Sequence, residues 1–291
     1  MKQSPGEKIF GVFNVIFLAV IAMLCLYPFL YTVSISFSSA AEASRDGLHL
    51  YPRDISLTSY KMVLTNPNIV TGYINSIIRT VLGTLLTVTA SCIAAYPLSR
   101  REMPHRALIT FIIVFTMLFG GGMVPGYLLI KKLGFINTIW ALVVPGMLGA
   151  FNIIIVKNFF QSLPESLVES ARMDGAGEWR ILFHIFIPLS KPVLATVALW
   201  SAVGHWNAWF DALLYITDDR KQVLQTFLQR IVIESGTQMM ELGITDTSVL
   251  QFTGETIKAA TIIVTILPII CVYPFVQKYF VKGIMLGGVK E

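Results

Sequence analysis

At 291 residues, with 55% hydrophobic and 13% charged side chains, the chain carries about half the charge that a water-soluble surface requires. A mean hydropathy of +0.69 argues against soluble domains and for an outer surface facing lipid. The excess of 22 basic over 17 acidic residues forms no dense basic run with interleaved aromatics, which argues against nucleic-acid binding; it fits positive charge kept in cytoplasmic loops.

The first apolar stretch, Ile9 to Phe37, follows Lys2 and Lys8 and is too long for a signal-peptide core, so it is read as a retained crossing. Six segments near the ~20 residues needed to span hydrocarbon are expected at Phe10–Ser36, Tyr73–Leu98, Leu108–Ile130, Trp140–Phe159, Val193–Ile216 and Ile257–Phe280. The fold class is therefore an all-α integral membrane protein, with residues 1–291 forming one transmembrane domain. Pro28, Pro145 with Gly146, Pro268 and Pro274 punctuate the spans, as in helices that pack around a cavity. Cys25, Cys92 and Cys271 each lie in an apolar run without metal-ligand spacing and read as small hydrophobes.

Arg100, Arg101 and Arg106 follow the second span, and lysines (Lys2, Lys8, Lys278, Lys282, Lys290) mark both chain ends. The positive-inside rule then puts that loop and both termini in the cytoplasm. Lys131 and Lys132, on the opposite side in this scheme, dissent. Two polar outer segments, Ser38 to Gly72 and Thr217 to Thr256, are long enough to carry structure, the second with a short helix around Val223 to Glu234.

The most informative stretch is the loop of residues 160–192 between the fourth and fifth spans, too polar for lipid and too apolar for a free loop. Leu163, Leu167 and Ala171 recur at four-residue spacing, as on one helical face. Ser162 is expected to cap that helix, Pro164 and Glu165 suit its first turn, and Asp174-Gly175 ends it. A second amphipathic run, Trp179 to Ile187, leads to Pro188 and Pro192. On physical grounds alone the pair is either an interfacial anchor or a docking site for a cytoplasmic protein.

Glu169-Ser170-Ala171, then Asp174-Gly175-Ala176, then Ile187-Pro188-Leu189 and Pro192, resemble the EAA loop of binding-protein-dependent ABC importer permeases, in the form of carbohydrate permeases of the maltose type. Ser170 stands where the family usually has Ala. Asn75-Ser76, the Ala95–Arg100 stretch, Trp206-Asn207 and the Lys282–Lys290 ending extend the resemblance over nearly the whole chain, the ending being similar to importers of complex oligosaccharides. The resemblance implies the type I importer permease fold in a bacterial cytoplasmic membrane. It further implies a second permease subunit, making a heterodimer, with an ABC ATPase dimer below and an extracytoplasmic solute-binding protein above. Glu169, Ser170, Ala171, Asp174, Gly175, Ala176 and Pro188 would form the ATPase-coupling element. The sequence holds no phosphate-binding G-x-x-x-x-G-K-[ST] loop, so no catalysis and no cofactor are expected in this chain, and ATP and magnesium would sit on the partner ATPase.

For the substrate pathway the candidates are Asn75, Arg79, His205, Trp206, Asn207, Trp209 and Asp211. Polar groups within apolar spans face a cavity or a partner helix, and aromatic faces with planar polar groups suit a sugar. The competing reading makes them interhelical glue and interfacial anchors. Arg79 either snorkels to the outer interface or faces the pathway, where it would suit a uronate-containing oligosaccharide. Gly120-Gly121-Gly122 reads as a helix break, His49, His105, His184 and His205 form no metal or catalytic array, and Asp218–Lys221 reads as a solvated turn. The rival functions are an ATP-independent channel or secondary transporter, a membrane enzyme acting on lipid-linked sugars, and an importer permease for a non-sugar solute. The first leaves the Glu169–Pro192 loop without a purpose, and the second lacks a cluster of carboxylates or histidines.

Overall fold

The computed structural model describes residues 5–233 and 254–288, with side chains over 6–233 and 254–272. Lys2, Glu234, Lys290 and the side chains of Pro274, Lys278 and the Lys282–Val289 ending therefore lie outside the described residues. Among those described, every regular element is helical, and strand pairing is limited to one bridge between Ser38 and Ile55. Three helices are long and apolar enough to cross a membrane, Gly6–Ser36, Pro67–Ser99 and Gly254–Val272, or up to five if each of two sharply bent pairs is one span.

All six expected segments are helical in part, but the third, fourth and fifth are interrupted. The third bends by 113° between Arg106–Leu118 and Met123–Lys132, at the glycine triplet read as a break. Gly122 there has φ +85° and ψ 162°, a conformation essentially reserved for glycine. The fourth has one turn at Trp140–Val143, an irregular stretch around Pro145 and Gly146, then the 12-residue helix Ala150–Gln161, which at 1.5 Å per residue is about 18 Å long. The fifth runs as Lys191–Asn207, breaks at Ala208-Trp209, and resumes as Phe210–Tyr215.

The chain forms two compact units, residues 1–70 with 228–268, and residues 71–227 with 269–291. In the first, the Pro5–Ser36 helix has none of its apolar window buried, as a helix facing lipid requires. Its end is anchored: Ile35 packs with Ala43 and Ala259, and Ser36 shares a hydrogen bond of 2.8 Å with the Tyr60 hydroxyl. Ser59 donates to Thr256 at 2.9 Å. The segment after this helix is closed by Ser39 N–H to Asp54 O at 3.1 Å and Ser56 N–H to Phe37 O at 2.8 Å.

In the second unit the helix Pro67–Ser99 organises the rest. Its buried residues Ser76, Arg79, Gly83, Thr87, Ser91, Ala95 and Leu98 fall at three- and four-residue steps, whereas Ile74, Ile77, Ile78, Val81 and Leu85 are exposed. The interior face is small and polar and the exterior large and apolar, the inverse of a soluble helix and the pattern of close helix packing in lipid. Against its C-terminal part a core of Tyr96, Ile153, Val156, Phe160, Val168 and Ile181 assembles, continued by Leu182, Phe186, Leu194 and Val197. That core seats the loop of residues 160–192.

Candidate functional site

The loop begins where Ala150–Gln161 ends. Ser162 donates its hydroxyl to Phe159 O at 2.7 Å, so it closes the preceding helix and does not cap the next one. The loop helix is Ser166–Met173, its first bonds running from Leu167 N–H to Pro164 O and Val168 N–H to Glu165 O. Pro164 lacks an N–H and sits just before the first turn, and Glu165 takes the N-cap position without a side-chain hydrogen bond. At the other end Ala176 N–H bonds Ala171 O at 2.9 Å around Gly175, whose φ is +76°. This is the 6→1 closure of a glycine-terminated helix, and it turns the chain into Glu178–Ile181.

The second helix does not stay regular. Leu182–Phe186 is in π register, with Ile187 N–H bonded to Leu182 O. Pro188 has no N–H to offer His184 O and its ring crowds that carbonyl, so the turn before it widens. At Ser190 the chain then bends by 82° into Lys191–Asn207.

One arginine holds the two helices to the preceding loop. Arg172 is bidentate on Glu102, at 3.1 and 3.0 Å, and its Nη2 and Nε also reach Glu178 Oε1 at 2.9 and 3.3 Å. Tyr96 donates its hydroxyl to the other Glu178 oxygen and stacks edge-on with Phe186 at 5.0 Å. The Tyr96 hydrogen bond and the Arg172 guanidinium hold the Glu178 carboxyl below its ordinary pKa, against the opposing effect of burial. Arg172 does the same to Glu102, and its own pKa is raised by both carboxylates.

What this frame presents outward is the expected coupling set. Glu169, Ser170, Asp174 and Gly175 are exposed, Met173 is 87% exposed, and Pro188, Trp179 and Phe183 are exposed on the second helix. Ala171 and Ala176 are half-buried against the core. Six of the seven residues thus share one helix and its closing turn, while Pro188 shapes the helix behind them.

The pathway candidates separate. Arg79 is buried, with 2% of its side chain exposed, and does not snorkel; its Nη2 pairs with Asp211 and its Nη1 donates to Ala208 O at 2.9 Å. That carbonyl is freed by the break after Asn207, so the guanidinium satisfies a backbone group that lipid would leave unpaired at a cost of several kcal/mol. His205 sits over Gly83, where a Cβ would come within 2.4 Å of its Nε2. Trp206 is buried edge-on to Tyr73 at 5.8 Å, and Trp209 meets Phe210 at 5.7 Å. Asn75 donates to Arg220 O and Gln222 O, both at 2.9 Å, and so ties the helix to the turn of residues 219–222. Asn207 is exposed and is not brought into this cluster. Within this chain Asn75, Arg79 and Trp206 are each engaged by neighbouring segments.

Sequence reasoning missed Glu102, Arg172 and Glu178 of the clasp, and also Asn137. Asn137 accepts from Thr217 N–H at 2.6 Å and Asp218 N–H at 3.1 Å through Oδ1, and its own backbone N–H donates to Tyr215 O at 3.0 Å. Its φ of +59° is one that asparagine tolerates better than most residues.

Asp211→Asn should destabilise the chain by about 2–4 kcal/mol, because it leaves a buried guanidinium without its counter-charge. Arg79→Met with Asp211→Leu together should cost less than Arg79→Met alone; thermal unfolding in detergent reads both. The clasp carboxylates, being depressed, contribute stability that is present at neutral pH and is lost as pH falls through and below their ordinary range of about 4.3. Wild type should accordingly lose more thermal stability than Arg172→Met between neutral pH and about pH 4; parallel curves for the two would show the clasp to be idle.

The sequence matches, over residues 9–286, the family described as binding-protein-dependent transport system inner membrane component. It is 41% identical to Protein LplC of Bacillus subtilis over 293 residues, covering 100% of this chain and 98% of that one. It is 42% identical to the polygalacturonan/rhamnogalacturonan transport system permease protein YtcP of the same organism, covering 94% and 96%. In structure it superposes with a TM-score of 0.91 at 36% identity, covering 96% of this chain and 99% of the other, on a chain of a bacterial ABC transporter involved in the import of the acidic polysaccharide alginate. With a helical membrane fold, an EAA-type loop and a family match of this extent, the chain belongs to the binding-protein-dependent transport system inner membrane components.

Proposed function

We propose that this chain is one of two permease subunits of an ATP-driven importer that carries an oligosaccharide, with a uronate-containing chain as the preferred cargo. The observation that carries the reading is the exposed Glu169–Gly175 head, held on a clasped and well-packed base. A membrane anchor would bury its apolar face in lipid and needs no such clasp. A docking element needs a rigid base, so that a push on its tip moves the spans behind it.

In this reading a dimeric ABC ATPase seats the loop in the cytoplasm, where both chain termini also lie, and an extracytoplasmic binding protein delivers the sugar. ATP and magnesium belong to the ATPase; this chain is non-catalytic and receives the energy of hydrolysis as motion. The 82° bend at Ser190 joins the loop directly to Lys191–Asn207, and the Arg79–Asp211 pair ties the end of that span to the Pro67–Ser99 helix. Movement of the loop then reaches two spans at once.

Support for an acidic sugar comes from the relatives named for polygalacturonan/rhamnogalacturonan and alginate. It does not come from Arg79, whose charge is engaged by Asp211. In the assembled importer, Glu169→Lys or Gly175→Pro should leave the subunits together but abolish the stimulation of ATP hydrolysis by sugar-loaded binding protein. Undiminished stimulation in both variants would reduce the loop to an anchor.

A further inference from the structure

A cavity of about 440 Å³ opens beside the clasp, lined by Arg100, Arg101, Arg106, Ser99, Gln161 and Glu165 among others. Three guanidinium-bearing residues converge on it against one carboxylate. Among the described residues their only ion pair is the loose 3.8 Å contact of Arg100 with Glu102, a carboxylate already engaged by Arg172. Arg100 Nε is buried with no hydrogen-bond partner, and Arg106 spends one N–H on a long 3.5 Å contact with Arg100 O.

The helix that starts at this cavity adds to the imbalance. Arg106–Leu118 has no side-chain cap and no acidic residue in its first turn, so a cation stands where the helix dipole favours an anion. The positive-inside rule accounts for arginines in this loop, but not for the convergence of three of them on one cavity with a single carboxylate, Glu165, in its lining. A tetrahedral phosphate answers each feature, because it accepts from guanidinium forks and from free helix N–H groups alike.

We infer that this cavity binds a phosphate group, supplied by the headgroup of an anionic phospholipid. The lipid source is favoured by the same helix: none of its residues is buried, and Leu108, Phe111, Ile112 and Phe115, at steps of three and four, form an exposed apolar face along which acyl chains can lie. Phe160, Leu163 and Phe186 in the cavity wall suit the glycerol and upper methylenes. The inference requires only that the chain is embedded in a bilayer and does not depend on the transported solute.

The test uses the full chain, purified with its co-purifying subunits and placed in phosphatidylcholine nanodiscs with a minor fraction of spin-labelled phosphatidylglycerol. Wild type should immobilise the labelled phosphatidylglycerol in preference to labelled phosphatidylcholine. Arg101→Gln with Arg106→Gln, which removes two charged donors, should weaken that preference about tenfold or more. Lys131→Gln with Lys132→Gln removes as much charge elsewhere and should leave it unchanged, and Arg101→Lys with Arg106→Lys should restore part of it. Displacement of the lipid by millimolar inorganic phosphate would assign the site to the free anion and reject the lipid source. Equal preference in all variants, or none in wild type, would overturn the site. So would loss of the other subunits from the glutamine variant with lipid preference intact, since the arginines would then be protein contacts.

Discussion

A loop outside the membrane has little apolar surface to bury, yet it must keep its shape if it is to transmit force. Here the shape depends on the Arg172 guanidinium, which donates to two carboxylates from different segments: Glu102 from the turn after Pro67–Ser99, and Glu178 from the helix beyond Gly175. Single exposed ion pairs contribute roughly 0–1 kcal/mol, and with 39% of its side chain exposed Arg172 is not a strong anchor by itself. Its effect comes from what lies behind it. Val168, Ile181, Leu182 and Phe186 are buried beneath the two helices, and Tyr96 links this apolar seat to the charged clasp by donating to Glu178. The hydrophobic contacts set the depth of the loop, and the fork of hydrogen bonds sets its angle.

A second arginine solves a different problem. Arg79 lies within the Pro67–Ser99 helix among neighbours that are largely small or hydroxylated, where an unpaired charge would be costly. It persists because the fifth span is broken after Asn207, which exposes the Ala208 carbonyl, and because Asp211 sits one turn further on. The break, the carboxylate and the guanidinium make sense only together. Removing any one of them leaves a polar group unsatisfied in a medium without water. The two arginines, one exposed and networked, the other buried and paired, tie the loop and the fifth span to the same long helix.

Much of this was legible in the residues. Composition gave the membrane class, the glycine triplet the bend at Gly122, and the Asp174-Gly175 pair the end of the loop helix, because each depends on local backbone chemistry. The helix predicted around Val223 is present as Leu224–Ile233. What was not legible depends on contacts between distant positions. Glu102 and Arg172 are seventy residues apart, and no spacing rule connects them. Arg79 read equally well as a snorkelling or a pathway residue until Asp211, 132 positions away, was seen beside it. Ser162 failed as a cap because a serine at a junction can serve either helix, and here it closes the first. The interruption of the fourth span falls at the Pro145-Gly146 pair, but that of the fifth was hidden for a related reason: hydropathy reports how apolar a window is, not whether its backbone bonds are continuous.

The central claim is that the loop and the Pro67–Ser99 helix move as one body. It is tested most directly by electron-electron distance measurements between spin labels at Ser170 and Leu85, both exposed, in a background without Cys25, Cys92 and Cys271. With the importer assembled, the distance distribution should stay narrow and unshifted between nucleotide-free and ATP-bound states. A distribution that broadens or shifts when ATP binds would mean that the loop swings on its base, and the rigid-clasp account would fail.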